Sequence, residues 1–320
     1  MNRVTILGGG PAGASAAIAA CGEGSAVRLI EKSKFPRHKV CGEFFSPEIA
    51  QDLDRLQVWD AFVAAGAARI RRMILHFGQR DKTCPLPESG WGLSRHAFDA
   101  LLLDRALALG AEICRESAEE PWVIAAGRRT AGLCRGRRLF GFKAHFEGPA
   151  NDAVELFFFR GCYAGVSAIE GGRTNVCGLG PEDFFKRFDF EYDAVVAESP
   201  ALASRLAPLR RTMKWLSTGP LQYGQAFNSP HERYRAGDTL SFVDPFTGSG
   251  LLAAVRTGAL AGVAAARSEP VSDYMARCRA SLKKPFEVAG IFRAALDLGW
   301  ADWLAGLVPG RLLFALTRPH

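Results

Sequence analysis

Three glycines near the start of the chain have the spacing of a phosphate-binding turn. Gly8, Gly10 and Gly13 follow a short apolar run at 4–7 and introduce an Ala-rich stretch at 12–20. Gly8 permits a tight turn, Gly10 lets a pyrophosphate approach the backbone, and Gly13 lets a helix pack closely against the strand. The first turn of that helix offers free N–H groups and the positive end of its dipole. The pattern therefore predicts a strand, turn and helix that bind a dinucleotide.

An acidic residue at the end of the next apolar run supports this interpretation. The run at 27–30 ends at Glu31, 18 residues after Gly13, where a carboxylate accepts hydrogen bonds from ribose hydroxyls and repels a 2′-phosphate. The same stretch also has features of a secretory signal, because a basic start is followed by small apolar residues up to Cys21. The glycines and Pro11 interrupt such a signal, and it leaves Glu31 unexplained.

A second glycine-rich segment, at 237–250, introduces another helix. Asp238 can hold a sugar or ribityl hydroxyl, and the turn DPFTGSG at 244–250 precedes a long Ala-rich helix that begins near Ser249. A dinucleotide has only one pyrophosphate, so a second helix N-terminus suits another electron-rich group. The pyrimidine edge of a reduced isoalloxazine fits, since a helix dipole stabilises its negative charge. This favours FAD over NAD; the alternative is a tight turn that caps a core helix.

Composition restricts the class of protein. The chain has 320 residues, 48% hydrophobic and 23% charged, which is enough for two domains or one large domain with an insertion. No segment is apolar enough to predict a membrane span, because the most apolar one, 251–266, contains Arg256. The net charge of +7 permits an anionic partner, such as a membrane surface or an acidic carrier protein, but nucleic-acid motifs are missing and a solvated surface explains it equally.

Cysteine usage favours a reducing compartment. The eight cysteines form no CxxC pair, and the histidines have no zinc-binding spacing. We therefore expect free thiols, no metal site and a cytoplasmic location that allows peripheral contact with a membrane.

The pattern of helix-type and strand-type segments divides the chain into a discontinuous nucleotide-binding domain and an inserted domain. Periodic apolar residues after Ser94 predict an amphipathic helix, and 110–113 and 122–127 are typical of further buried strands. The segment 45–94 combines a helix with short strands such as the one predicted at 73–77. Glycine-punctuated strand patterns dominate the later insert and predict an antiparallel sheet. The predicted boundaries are 1–44, 95–138 and 230–270 for the nucleotide domain, 45–94 and 139–229 for the substrate domain, and 271–320 for a helical C-terminal segment.

Motifs along most of the chain carry a family resemblance. They are GGGPAG at 8–13, Glu31, FPRHKVCGE at 35–43, LSRHAFD at 93–99, FKAHF at 142–146, YAGVSAIEGGRTNVCGL at 163–179 and GDTLSFVDPFTGSG at 237–250. The chain resembles the class A FAD-dependent oxidoreductases of the para-hydroxybenzoate hydroxylase type, and more narrowly the geranylgeranyl reductase family, which is related to flavin monooxygenases and halogenases. The resemblance implies an α/β fold: a Rossmann-type FAD-binding domain, an inserted, mostly antiparallel β-sheet substrate domain and a helical C-terminus.

The resemblance also implies a set of cofactor-binding residues. These are Gly8, Gly10, Pro11, Ala12, Gly13, Glu31, Lys32, Arg37, Cys41, Gly42, Arg95, Gly237, Asp238, Pro245, Gly248, Ser249, Gly250 and Leu251. By position, Arg37 lies in a loop that borders the cofactor, and 41–42 face the isoalloxazine. Arg95 reaches the ADP or pyrophosphate side, Asp238 binds a hydroxyl, and the turn at 245–250 lines the flavin ring.

The chain departs from the family pattern in two places. Only CRESAEEP, at 114–121, separates the strands that a β-meander usually joins, so the adenine side is trimmed. The WxWxIP signature of tryptophan halogenases and the aromatic signature of lipid reductases are both missing, which disfavours those particular activities.

Few residues are candidates for acid–base chemistry. Cys41 is the catalytic candidate, because a thiol beside a flavin can donate a proton or react covalently; a small buried hydrophobe is the alternative interpretation. His38, His145 and Lys143 are weaker candidates, since a single polar residue on such a strand is more often structural or faces solvent.

The expected activity is reduction of a C=C bond of a hydrophobic or carrier-linked substrate by hydride from reduced FAD, with NAD(P)H or a reduced carrier as transient donor. The alternatives are a monooxygenase or halogenase that uses a C4a-hydroperoxide, a flavin-binding protein without turnover, and a basic surface-binding module.

Overall fold

The computed structural model describes residues 3–78, 80–127, 138–221, 224–225, 232–242 and 248–282. The strands, numbered in chain order, are β1 (Arg3–Leu7), β2 (Ala26–Ile30), β3 (Phe44–Phe45), β4 (Ala68–Phe77), β5 (Arg80–Gly92), β6 (Glu112–Cys114), β7 (Val123–Ile124), β8 (Leu139–Glu147), β9 (Ala153–Phe159), β10 (Cys162–Ala168), β11 (Arg173–Pro181), β12 (Arg210–Arg211), β13 (Leu216–Leu221), β14 (Gly224–Gln225), β15 (Tyr234–Arg235) and β16 (Ser241–Phe242). The helices are α1 (Pro11–Gly22), α2 (Ile49–Arg55), α3 (Trp59–Ala64), α4 (Arg95–Ala108), α5 (Glu182–Lys186), α6 (Tyr192–Ala197), α7 (Pro200–Leu206) and α8 (Gly250–Ala266).

A parallel five-stranded sheet forms the nucleotide-binding half. Its strand order is β15-β7-β1-β2-β6, and each neighbouring pair runs parallel. The strands are short and apolar because helices cover them; Ile6 and Leu29 are fully buried. The predicted α/β fold with a Rossmann-type sheet is confirmed.

Helices α1 and α8 pack backbone against backbone beside this sheet. A Cβ atom at Gly258 would lie 2.1 Å from the carbonyl oxygen of Ala12, and one at Gly262 would lie 2.1 Å from that of Ala16. Both contacts advance by four residues in the same direction, so the two helices run parallel. The small residues of the Ala-rich stretches allow this close approach.

The second sheet is large and mostly antiparallel, as predicted. Its order is β12-β8-β11-β10-β9-β4-β5-β3, and β13 also pairs with β8. Only the pair β4 and β9 runs parallel among the described pairs of this sheet. Helices α5, α6 and α7 cover one face through an aromatic core that includes Phe142, Phe185 and Tyr192.

One strand and one segment differ from the sequence expectation, the strand in its length and the segment in the core against which it packs. The strand predicted at 73–77 begins at Ala68, because the pairing of β4 with β5 continues to Gly92. Residues 45–62 lie in the range 45–94 predicted for the substrate domain. Phe45, Leu53 and Phe62 nevertheless pack into the core that surrounds the parallel sheet. The domain boundaries themselves remain a prediction.

The described part of the C-terminal segment, 271–282, is helical, and Tyr274 is fully buried there. The Tyr274 hydroxyl donates a hydrogen bond of 2.6 Å to the carbonyl oxygen of Arg235. The remainder of the predicted helical tail falls beyond residue 282 and outside the description. Over the described ranges, no helix combines the length and the apolar character that crossing a membrane requires.

Candidate functional site

The first glycine turn has the geometry that its spacing predicts. Gly8 has φ +102°, and a Cβ atom there would lie 2.4 Å from the carbonyl oxygen of Ala125. A Cβ atom at Gly13 would lie 1.7 Å from the carbonyl oxygen of Gly8, so these glycines are required for close packing. Gly10 differs, because its Cβ position meets only the Arg95 guanidinium, at 3.8 Å. An open space bordered by the Arg95 guanidinium therefore lies above Gly10, at the N-terminus of α1.

Glu31 closes one side of this turn. Its carboxylate accepts hydrogen bonds from the backbone N–H of Gly9 at 2.8 Å and of Ser33 at 2.7 Å, and Arg37 lies 3.3 Å away. Burial alone would raise the pKa of Glu31, but these donors outweigh burial and lower the pKa, so the carboxylate is ionised. The predicted Lys32 is exposed beside it.

Arg95, at the start of α4, connects the glycine turn to the loop that contains Cys41. Its guanidinium binds the buried Asp99 carboxylate through two hydrogen bonds, of 2.5 and 2.7 Å. Burial would lower the pKa of Arg95, but Asp99 outweighs that effect and raises it. The backbone N–H of Arg95 donates to Glu43 at 2.5 Å. Arg95 is thus a fixed cation between the α1 N-terminus and the 41–43 loop.

The later glycine segment lies against the same region. Gly237 has φ +59°, its Cβ position is 2.9 Å from the side chain of Ala12, and its N–H donates to Thr257 at 2.9 Å. Asp238 follows on the surface. Gly248 has φ +66°, and a Cβ atom there would lie 2.8 Å from the Phe44 ring. The segment therefore meets both the glycine turn and the strand that follows the 41–43 loop.

The N-terminus of α8 projects beyond that of α1. Gly258, eight residues into α8, faces Ala12, which is only the second residue of α1. With 1.5 Å of rise per residue, the α8 N-terminus lies about 10 Å further along the shared direction. Ser249 and Leu251 are buried at this end, whereas Gly250 is exposed with nothing within 4 Å of its Cβ position. Pro245 of the prediction belongs to a stretch that the structure does not describe.

Glu43, Lys143 and His145 form a buried charged cluster beneath the 41–43 loop. None of the three side chains is more than 2% exposed. Lys143 donates to Glu43 and, at 3.1 Å, to the carbonyl oxygen of Lys39, and His145 Nε2 lies 2.7 Å from the other Glu43 oxygen. Burial alone would raise the pKa of Glu43, but His145 and Lys143 outweigh it and lower the pKa. Glu43 itself has φ +53°, a conformation that a non-glycine residue rarely adopts.

Cys41 lies in the same loop, two residues before Glu43. Its sulfur accepts a hydrogen bond from the N–H of Glu43 at 3.5 Å, and its carbonyl oxygen accepts one from Asn175 at 3.1 Å. Asn175 also binds the carbonyl oxygen of Gly42, at 2.8 Å. Burial raises the pKa of the Cys41 thiol, the Arg95 cation opposes this, and burial prevails, so the group is a protonated thiol at neutral pH.

These features fit FAD. A pyrophosphate matches the space above Gly10 and the Arg95 cation, and the Glu31 carboxylate suits ribose hydroxyls. A ribityl chain can bridge the interval of about 10 Å between the two helix N-termini. The flavin pyrimidine edge would then meet the N–H groups at the start of α8, beside 41–42.

Comparison with known proteins agrees with this arrangement. The tryptophan halogenase family profile matches residues 3–86. A flavin-dependent halogenase of Armillaria mellea is 33% identical over 117 residues, which are 34% of this chain and 23% of the halogenase. The chain thus matches about a quarter of the length of such halogenases. The digeranylgeranylglycerophospholipid reductase 2 of Methanopyrus kandleri is 26% identical over 85% of this chain and 79% of its own length.

A solved structure shows the same fold. A triple mutant of the flavin-dependent brominase Bmp2 superposes with a TM-score of 0.78 at 18% identity, over 94% of this chain and 91% of the brominase. Fold and sequence together make the chain similar to FAD-dependent oxidoreductases. Among them, the chain is similar both to geranylgeranyl reductases and to flavin-dependent halogenases, so the resemblance found in its sequence is confirmed.

The sequence did not identify the role of Glu43, and it gave Lys143 and His145 little weight. The structure places all three in one buried cluster, rather than on a solvent-facing strand surface. A signal for them exists, because two polar residues at positions i and i+2 share one face of an otherwise aromatic strand. Their common partner comes from a loop about 100 residues earlier, which a strand pattern does not reveal.

Proposed function

We propose that this chain uses FAD to reduce a C=C bond of a hydrophobic or carrier-linked substrate. The observation that carries the proposal is the convergence, at one edge of the parallel sheet, of the α1 N-terminus, the Arg95 cation, the protonated Cys41 thiol and the α8 N-terminus. Similarity to the Methanopyrus reductase over most of both chains favours reduction.

In the proposed reduction, Cys41 and Arg95 have separate roles. Bound FAD, once reduced, supplies a hydride equivalent to one carbon of the double bond. The neighbouring carbon then takes a proton, and we assign the Cys41 thiol as its donor: the S–H bond breaks and a thiolate remains. Arg95 lowers the energy of that thiolate, since it is a fixed cation nearby. NAD(P)H or a reduced carrier would supply the electrons.

A second candidate is a halogenase or monooxygenase. The family profile over residues 3–86 and the TM-score of 0.78 with a brominase favour it. Both reactions need the same cofactor site and differ in what reacts with the reduced flavin. A flavin-binding protein without turnover is the remaining alternative.

Two measurements test the proposal. The purified protein should take up FAD, seen as flavin absorbance that survives gel filtration; a protein that stays colourless with added FAD contradicts the cofactor assignment. The flavin is then reduced without oxygen and mixed with a geranylgeranyl lipid. Rapid return of the oxidised spectrum supports reduction, whereas a spectrum that changes only when oxygen and halide are admitted supports halogenation.

Cys41→Ser tests the role of the thiol. We expect it to retain FAD uptake and to slow anaerobic reoxidation by about a hundredfold, the usual contribution of a positioned acid. Reoxidation at the wild-type rate would remove Cys41 from the mechanism. An acidic carrier protein or a membrane surface is the proposed source of the substrate, because the chain carries a net charge of +7.

A further inference from the structure

Asn175 binds two consecutive peptide carbonyls of the loop that carries Cys41. Its amide nitrogen donates to the carbonyl oxygen of Cys41 at 3.1 Å and to that of Gly42 at 2.8 Å. Asn175 is only 1% exposed, and its side-chain oxygen has no hydrogen-bond partner among the described residues. A flipped amide would set three oxygens against one another, so the two acceptors determine its orientation. Both hydrogen bonds of this amide group therefore serve the loop.

The large sheet holds the loop from one side. Asn175 on β11 pairs with His145 on β8, and Lys143, two residues before His145, lies on the same face. Lys143 donates to the carbonyl oxygen of Lys39 at 3.1 Å. Three carbonyl oxygens of the segment 39–42 are thus bound by side chains of this sheet face, two of them by Asn175.

These contacts determine the direction of the N–H groups in the loop. The peptide bonds 41–42 and 42–43 are both trans, and in a trans peptide the N–H points opposite to the C=O. The N–H groups of Gly42 and Glu43 therefore point away from Asn175. That of Glu43 donates to the Cys41 sulfur at 3.5 Å, whereas that of Gly42 has no partner within the described part of the chain. Gly42 is exposed, and nothing lies within 4 Å of its Cβ position.

We propose that Asn175 is a positioning residue that directs the Gly42 N–H at the isoalloxazine ring of bound FAD. The inference rests on the cofactor of the proposed function and does not depend on the substrate. An N–H donor stabilises the electron-rich reduced ring more than the oxidised ring, because a hydrogen bond strengthens as its acceptor gains negative charge. Through the loop, Asn175 thereby raises the reduction potential of the flavin.

Anchoring of the loop alone does not account for Asn175. Glu43 already anchors the loop, since it binds Lys143, His145 and the backbone N–H of Arg95. A buried amide with an unpaired oxygen costs free energy, which a redundant anchor would not offset. What Glu43 does not restrain is rotation of the 41–42 peptide. Without the Asn175 amide, that peptide can turn over and point the Gly42 N–H towards the sheet.

The test is the two-electron potential of bound FAD in Asn175→Leu, which keeps a side chain of similar size and removes both hydrogen bonds. The full-length protein is loaded with FAD and titrated with dithionite beside a redox dye, so no substrate or turnover is needed. We expect the potential to fall by about 30 mV, which is a tenfold weaker preference for reduced over oxidised flavin. If Asn175→Leu does not fold, Asn175→Ala carries the same expectation.

Val176→Ala is the matched control. Val176 is fully buried and follows Asn175 on β11, but it points to the other face of the sheet and packs in the aromatic core beneath α5, α6 and α7. The change should lower the Tm and leave the potential unaltered. If Asn175 were merely structural, its variants would behave in the same way as this control.

Gly42→Ala examines the other end of the proposed contact. It should fold like the wild type, because its Cβ position is open. The added methyl group would crowd an isoalloxazine beside the loop, and we expect FAD affinity to fall by about tenfold.

A wild-type potential in the folded Asn175 variants overturns the inference and leaves the cofactor assignment intact, as does unchanged FAD affinity in Gly42→Ala. A wild-type protein that takes up no FAD overturns the cofactor assignment and the inference together. A protein that shows the expected potentials but reduces no lipid contradicts the proposed reduction alone.

Discussion

Two glycine-to-alanine changes should have opposite consequences, because the glycines serve different purposes. At Gly10 the new methyl group would meet only the Arg95 guanidinium, at 3.8 Å, which is ordinary van der Waals contact. At Gly258 it would lie 2.1 Å from the carbonyl oxygen of Ala12, a distance that no real Cβ contact reaches. Gly10→Ala should therefore fold normally and bind FAD weakly, whereas Gly258→Ala should destabilise the fold.

The magnitudes follow from these distances. The methyl group at Gly10 occupies the space in which a pyrophosphate would approach the backbone, and we expect FAD affinity to fall by about a hundredfold, or ~2.7 kcal/mol. At Gly258 the helices must separate by more than an ångström along the α1–α8 contact. Overpacking of this kind costs about 1–3 kcal/mol, and the better helix propensity of alanine recovers at most about 1 kcal/mol. The net cost is therefore up to about 2 kcal/mol, which for a chain of 320 residues lowers the Tm by up to roughly 3–4 °C.

The assay measures FAD affinity from quenching of flavin fluorescence and stability from circular dichroism melting of the FAD-free protein. Measuring stability without FAD matters, because a bound ligand would itself raise the Tm. If Gly10→Ala bound FAD as tightly as the wild type, the pyrophosphate would not lie above this turn. If Gly258→Ala melted at or above the wild-type temperature, the backbone contact between α1 and α8 would not limit the packing.

Three further predictions concern charged groups. Glu31→Gln should weaken FAD binding by about tenfold with little change in Tm, since a neutral amide is a poorer acceptor for ribose hydroxyls; unchanged affinity would contradict that role. Lys143→Met should cost about 3–5 kcal/mol in urea unfolding because it leaves Glu43 buried with one partner fewer, and the Glu43→Gln/Lys143→Met double variant should cost less than the sum of the single changes; strict additivity would show that the pair does not interact. His38 has a folded-state pKa of about 4 against an ordinary 6.5, so the unfolded chain binds more protons between these values and stability should fall as the pH is lowered from 6.5 to 4. His38→Phe should flatten that dependence in urea titrations at each pH.

The sequence predicted an element correctly wherever the residues that determine it lie in one short segment. The glycine spacing at 8–13 and the acid at Glu31 predicted a strand, turn and helix, and the structure forms them within a few residues of the expected bounds. The strands at 110–113 and 122–127 were found for the same reason, as β6 and β7. The length of β4 was underestimated, because its N-terminal half alternates arginines with apolar residues and depends on pairing with β5.

Local sequence patterns did not predict the contacts between segments that are distant in the chain. Nothing in the strand 142–146 indicates that Lys143 and His145 share a partner in the loop at 39–43, since strand alternation specifies a face but not what covers it. The same is true of Asn175, whose amide holds the carbonyl oxygens of Cys41 and Gly42.

The sequence by itself predicted the class of cofactor and the elements that would bind it, because phosphate binding at a helix N-terminus depends on a few consecutive residues and on glycines without side chains. The tertiary structure decided how the two helix N-termini are spaced, through the parallel contact of α1 with α8, and which charges meet beneath Cys41. Those features depend on burial: a carboxylate, an ammonium group and an imidazole interact strongly only when the fold removes them together from water.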